Sequence, residues 1–72
     1  MKQFMVVVET RAKSCSYFDD FDSYEDAIER VKYVDRVATK QANDKVDNKF
    51  VITNITLIDV KKGALPLTFL LE

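Results

Sequence analysis

The residues of this chain best equipped for chemistry stand in its first third: Cys15 between Ser14 and Ser16, Lys13 beside them, and the carboxylates Asp19, Asp20 and Asp22 a few positions on. A cysteine becomes a nucleophile when a nearby cation lowers its pKa, and a set of carboxylate oxygens can hold Ca or Mg ions. Neither reading goes far. A lone cysteine acts most often as a small buried hydrophobe. Asp19-Asp20-Phe21-Asp22 lacks the glycine and the distal Glu of a calcium loop, and helix capping and solvation account for it. The chain contains no His, which removes the usual general base at neutral pH, the common metal ligand and any Ser-His or Cys-His pair. Gly63 is the single glycine, whereas phosphate loops and dinucleotide fingerprints need several. The expectation is a non-enzymatic protein with no metal site and no cofactor.

Binding depends on the elements that carry the remaining polar residues, and a helix is the clearest of them. Ser23 followed by Asp26 is an acidic variant of a capping box. Tyr24, Ala27, Ile28, Val31, Val34, Val37 and Ala38 then recur at spacings of three and four, which predicts an apolar stripe on a helix over residues 24–42. Asn43-Asp44 supplies the stop, and residues 44–49 read as a solvated loop. On the exposed face, Asp26 and Arg30 are spaced for a favourable i,i+4 pair.

On both sides of the helix the period changes to two. Val-rich residues 3–10 predict a strand, residues 11–13 a turn, and residues 14–18 a shorter returning strand. Residues 50–60 and 65–71, joined by Lys61-Lys62-Gly63, predict a second hairpin. Pro66 cannot donate to a ladder, so the last strand is expected at a sheet edge or only after the proline. The simplest assembly with short connections is α+β: one ββαββ domain over residues 1–72, a four-stranded, mostly antiparallel sheet with the helix on one face.

That assembly leaves an apolar excess. Residues 4–8 and 65–71 are apolar on both faces, and residues 50–60 split into Phe50, Ile52, Ile58 and Val60 on one face with Val51, Ile55 and Leu57 on the other. A bulge near Thr53-Asn54 would swap the faces midway and relieve the conflict. Without it, the side away from the helix stays apolar and marks an association surface, which makes a homodimer through the sheet face or the last strand the leading expectation. A 72-residue domain buries only about 60 % of its unfolded surface. With one cysteine it has no internal disulfide to compensate.

Composition bounds the partners. Hydrophobic residues make up 47 % and charged residues 32 %, the profile of an ordered soluble domain. No stretch approaches the roughly 20 apolar residues of a membrane span, and residues 1–10 hold no signal-peptide run, so a cytoplasmic protein is expected. The net charge is -1 but is arranged in blocks. Asp19, Asp20, Asp22, Glu25, Asp26 and Glu29 form a wholly acidic stretch, while Arg30, Lys32, Arg36 and Lys40 dominate the next one, in the sense that complements a helix dipole.

A basic helix face with Tyr33 and Lys61-Lys62 raises direct nucleic-acid binding as an alternative. A pI near 5.4 and the adjoining acidic block oppose it. A ligand-binding oligomer is a further alternative. In general form the chain resembles the short, self-contained proteins that bacteriophages and other mobile elements use to bind and inhibit or redirect host proteins. The resemblance rests on size and lack of chemistry and implies a protein partner. The expected partner surface is Asp19, Asp20 and Asp22 at the helix head with Glu25, Glu29, Arg30, Tyr33, Arg36 and Lys40 along it. Tyr33 is the expected anchor, because interface centres are enriched in aromatics and Arg.

Overall fold

In the computed structural model, which describes residues 2–67, the Val-rich strand β1 (Phe4–Thr10) lies inside a four-stranded sheet. It is flanked by β2 (Tyr17–Phe21) and β3 (Ile52–Asp59), with β4 (Gly63–Leu65) beyond β3. All three pairings are antiparallel. One helix, α1 (Tyr24–Asn43), connects β2 to β3 and covers one face. The ββαββ order and the layer arrangement are those expected from the periodicities. Among the described residues, no helix is long and apolar enough to cross a membrane.

The core follows from strand alternation meeting helical spacing. Val6 and Val8 of β1 and Leu57 of β3 project to the helix side, where Ala27, Val31 and Val34 descend on them; all six are at most 1 % exposed. Phe4, Phe21, Ile28, Ile52, Ile55, Leu65 and Leu67 surround this centre. Tyr24, expected in the apolar stripe, is 46 % exposed and makes an edge contact with Phe4.

The start of α1 is as expected: Ser23 Oγ accepts from the Asp26 N–H at 3.1 Å. Its end has a feature the sequence did not advertise. Lys45 has φ 54°. Its N–H donates to the Ala42 carbonyl while that of Val46 reaches back to Gln41, the bond pattern of a left-handed cap normally built on glycine. A side chain in this conformation carries strain of roughly 1–2 kcal/mol, partly offset by glycine's larger entropy loss. Lys45→Gly is therefore expected to raise stability by up to about 1 kcal/mol, seen as a higher urea midpoint at unchanged m-value.

The second strand departs from expectation. Residues 13–15 form a 3-10 turn and the strand runs Tyr17–Phe21, not 14–18. Local hydrogen bonds explain the shift. Thr10 Oγ1 donates to the Ala12 carbonyl at 2.6 Å, and Ser16 Oγ accepts from the Thr10 N–H, so the small polar residues serve the turn and the aromatics serve the strand. Half-buried Cys15 lies in that turn, not in a strand.

In β3 the bulge does occur. The ladder pairs Glu9 with Asn54 and then Thr10 with Ile52, leaving Thr53 extra and bringing Ile52 and Ile55 to the helix side together. The strand begins at Ile52 because the Gln41 amide, from the last turns of α1, accepts from Ile52 N–H and donates to the Phe50 carbonyl. Phe50 and Val60, expected in the strand, flank it at 56 % and 55 % exposure.

β4 is an edge strand that ends before Pro66. The expected strand over 65–71 begins earlier, and residues 68–71 lie outside the described residues.

The β3–β4 turn is tied by Asp59, which is 4 % exposed. Its Oδ1 accepts from the N–H groups of Lys61 at 2.8 Å and Lys62 at 3.3 Å, and its Oδ2 from the Gln3 amide at 3.4 Å. The Lys61 N–H is the main reason that this carboxyl is held below its ordinary value of 3.8; burial opposes the shift, and Gln3 and Lys62 reinforce it. A carboxylate with a depressed folded pKa contributes stability above its unfolded pKa, and the contribution is lost as pH falls through the folded value. The gap in urea midpoint between the native chain and Asp59→Asn should therefore hold steady above about pH 4 and close on further acidification.

Candidate functional site

Because only Asp22 and Ser23 separate β2 from α1, the strand and the first half of the helix lie side by side. Alternation sends Asp19 and Phe21 to the helix side and Phe18 and Asp20 to the other. On α1, Asp26, Glu29, Arg30, Tyr33 and Arg36 follow at spacings of three and four along one flank. Together with Phe21 they line an open groove of about 610 Å³.

Arg30 organises this groove. Its Nη1 is 3.3 Å from Asp19 Oδ2, and its guanidinium carbon sits 5.9 Å from the centre of the Phe21 ring and 6.0 Å from that of Tyr33. An exposed ion pair contributes about 0.2–1 kcal/mol and an exposed cation–π contact about 0.5–1 kcal/mol. These are modest energies, but they point the same way. They hold a bridge from strand to helix and leave Tyr33 54 % exposed at the centre of the flank. The i,i+4 pair expected between Asp26 and Arg30 is replaced by this longer-range one with Asp19.

The expected surface is thus brought together in part. Glu29, Arg30, Tyr33 and Arg36 line the groove, with Asp19 beneath Arg30. Asp19 and Asp20 are strand residues, not a cap at the helix head, and Asp20 faces away from the helix. Asp22 pairs with Lys2 at 3.3 Å. Glu25 is exposed in the first turn and Lys40 in the last, both outside the groove lining. Phe21 and Asp26 are members that the sequence reading left out. Phe21 is found by carrying the strand's alternation to residue 21, where it falls on the same side as Asp19.

Chemically the groove offers charge of both signs, one exposed aromatic and the open side of an edge strand. It is not the apolar concavity in which small ligands are usually enclosed. Among the described residues, no three His, Cys, Asp or Glu side chains are grouped to hold a metal ion.

The sheet has a second surface, on the side away from the helix, with half-buried Met5, Val7 and Ile58 beside Phe18, which is 59 % exposed. The bulge reduces the apolar excess there without removing it. The fold and groove together define a small two-layer α+β domain with a strand-and-helix surface groove. No family model, curated protein or solved structure matches the chain.

Proposed function

We propose that this chain is a non-enzymatic protein-binding module that engages its partner in the groove between β2 and α1, and thereby inhibits or redirects that partner. The observation that carries the reading is the clustering of Tyr33, Arg30 and Phe21 beside an open sheet edge. Exposed aromatic and Arg side chains held in place are the groups from which interface hot spots are made. Nucleic acid is the weaker fit, since Arg30, one of the cations needed to follow a phosphate backbone, is already neutralised by Asp19. Homodimerisation belongs to the same proposal, on the helix-free side of the sheet around Val7 and Ile58, and the molar mass over a dilution series decides it.

The decisive variants are Tyr33→Ala and Arg36→Glu. Both positions are exposed, so the fold and its melting temperature should be nearly unchanged, while affinity for the partner should fall by tenfold or more, about 1.4 kcal/mol. Equal capture of a purified partner by both variants and by the native chain would remove the groove from consideration.

A further inference from the structure

We infer that the partner enters as an extended segment which adds a strand to the open side of β2 and carries Lys or Arg at alternate positions. The inference rests on the groove reading above and narrows it. Three observations bear on it.

β2 is the outermost strand, with β1 on one side and no strand on the other among the described residues. Its backbone donors and acceptors on that side are a template for a further strand. Five residues give the template a length of about 16 Å.

The helix packs mainly over β1 and β3 and less over β2. The ground beside β2 is therefore uncovered, and the groove lies there. A strand laid along β2 would turn every second side chain toward the groove, where Phe21 and Tyr33 offer aromatic surface. The others would meet Phe18 and Asp20 on the opposite face.

Charge selects the occupant. Of the six carboxylates from Asp19 to Glu29, Asp19 is paired with Arg30 and Asp22 with Lys2. Asp20, Glu25, Asp26 and Glu29 have no cationic partner among the described residues. A second copy of β2 would set Asp19 and Asp20 against carboxylates of its own kind, and like charges facing across a pair of strands destabilise it. Charged residues on an edge are also a common guard against self-pairing. A foreign strand bearing cations two residues apart turns this guard into attraction: side chains two apart share one face, and on the groove side they meet Asp26 and Glu29.

The test uses the full chain, immobilised, and a displayed library of random twelve-residue peptides. The expected result is enrichment of sequences with Lys or Arg two residues apart, separated by β-branched or aromatic residues. For the best synthetic peptide, methylation of alternate backbone nitrogens should abolish binding in one phase and spare it in the other, as a ladder requires. Glu29→Lys should weaken binding about tenfold, and amide shifts should map to β2 and the Tyr33 flank. Several results overturn the inference: no enriched sequence, enrichment without cations, or indifference to backbone methylation. If Tyr33→Ala weakens the peptide while methylation does not, the groove survives and strand addition falls. If neither Tyr33→Ala nor Glu29→Lys matters, both fall. A molar mass that rises with concentration and is reversed by the peptide would assign the edge to a second copy and overturn the choice of occupant.

Discussion

Leu57→Ala is expected to cost about 2–5 kcal/mol, the range for deleting a fully buried leucine side chain. Leu57 is 0 % exposed. It stands in the middle of β3, opposite Val6 on one side and Leu65 on the other, beneath the buried face of α1. The missing side-chain atoms would leave a void that three elements border, and a central strand cannot move in to fill it without shifting two ladders. At roughly 0.05–0.15 kcal/mol per residue, 72 residues hold only about 4–11 kcal/mol of stability. This one truncation therefore removes a large share of the total. Urea denaturation followed by circular dichroism would measure it. A loss under about 1 kcal/mol would mean that the core closes over the gap, against the rigid two-layer packing described above.

Val31→Asp is expected to unfold the chain at neutral pH. Val31 is also 0 % exposed, and its neighbours in the core are apolar. An ionised carboxylate there has neither a cation nor a donor to compensate its lost hydration, and the group would be driven to its neutral form. The sign of the pH dependence is then opposite to that of Asp59. A carboxyl whose folded pKa is raised lets the native state bind the extra proton, so stability falls as pH rises above the unfolded value near 3.9. Structure that is lost at pH 7 and partly regained near pH 4 would be the signature. Native-like folding of Val31→Asp at pH 7 would show that this face of α1 is not sealed.

The elements were legible where local chemistry and periodicity agreed. Ser23 and the three-and-four spacing from Tyr24 to Ala38 marked α1 within a residue of its bounds, because a cap and an amphipathic stripe are properties of neighbouring residues. Phe4–Thr10 was equally plain. β2 was displaced because Ser16 Oγ accepts from Thr10 at the end of β1 and the Cys15 N–H donates to Ala12 in the turn, and a strand boundary set by such bonds is invisible to a period of two. The bulge was legible as a conflict: Ile52 and Ile55 could not share a face in a regular strand, and one extra residue resolves this. Phe21 was missed for the same reason that β2 was misplaced.

Residue types alone determined that the chain folds as an α+β domain, that its helix begins at a Ser cap, and that His-based chemistry is closed to it. These follow from composition and short-range spacing, which do not depend on where distant segments meet. Only the tertiary structure decided that Arg30 pairs with Asp19, eleven positions away and on another element, in place of Asp26 on its own helix. It alone set Asp19 and Asp20 on opposite faces of an edge strand. The pleat sends neighbouring side chains apart, and the strand order leaves β2 outermost. A run of six acidic residues that looks like one block in the sequence is thereby divided between a helix end, a groove and the far side of a sheet.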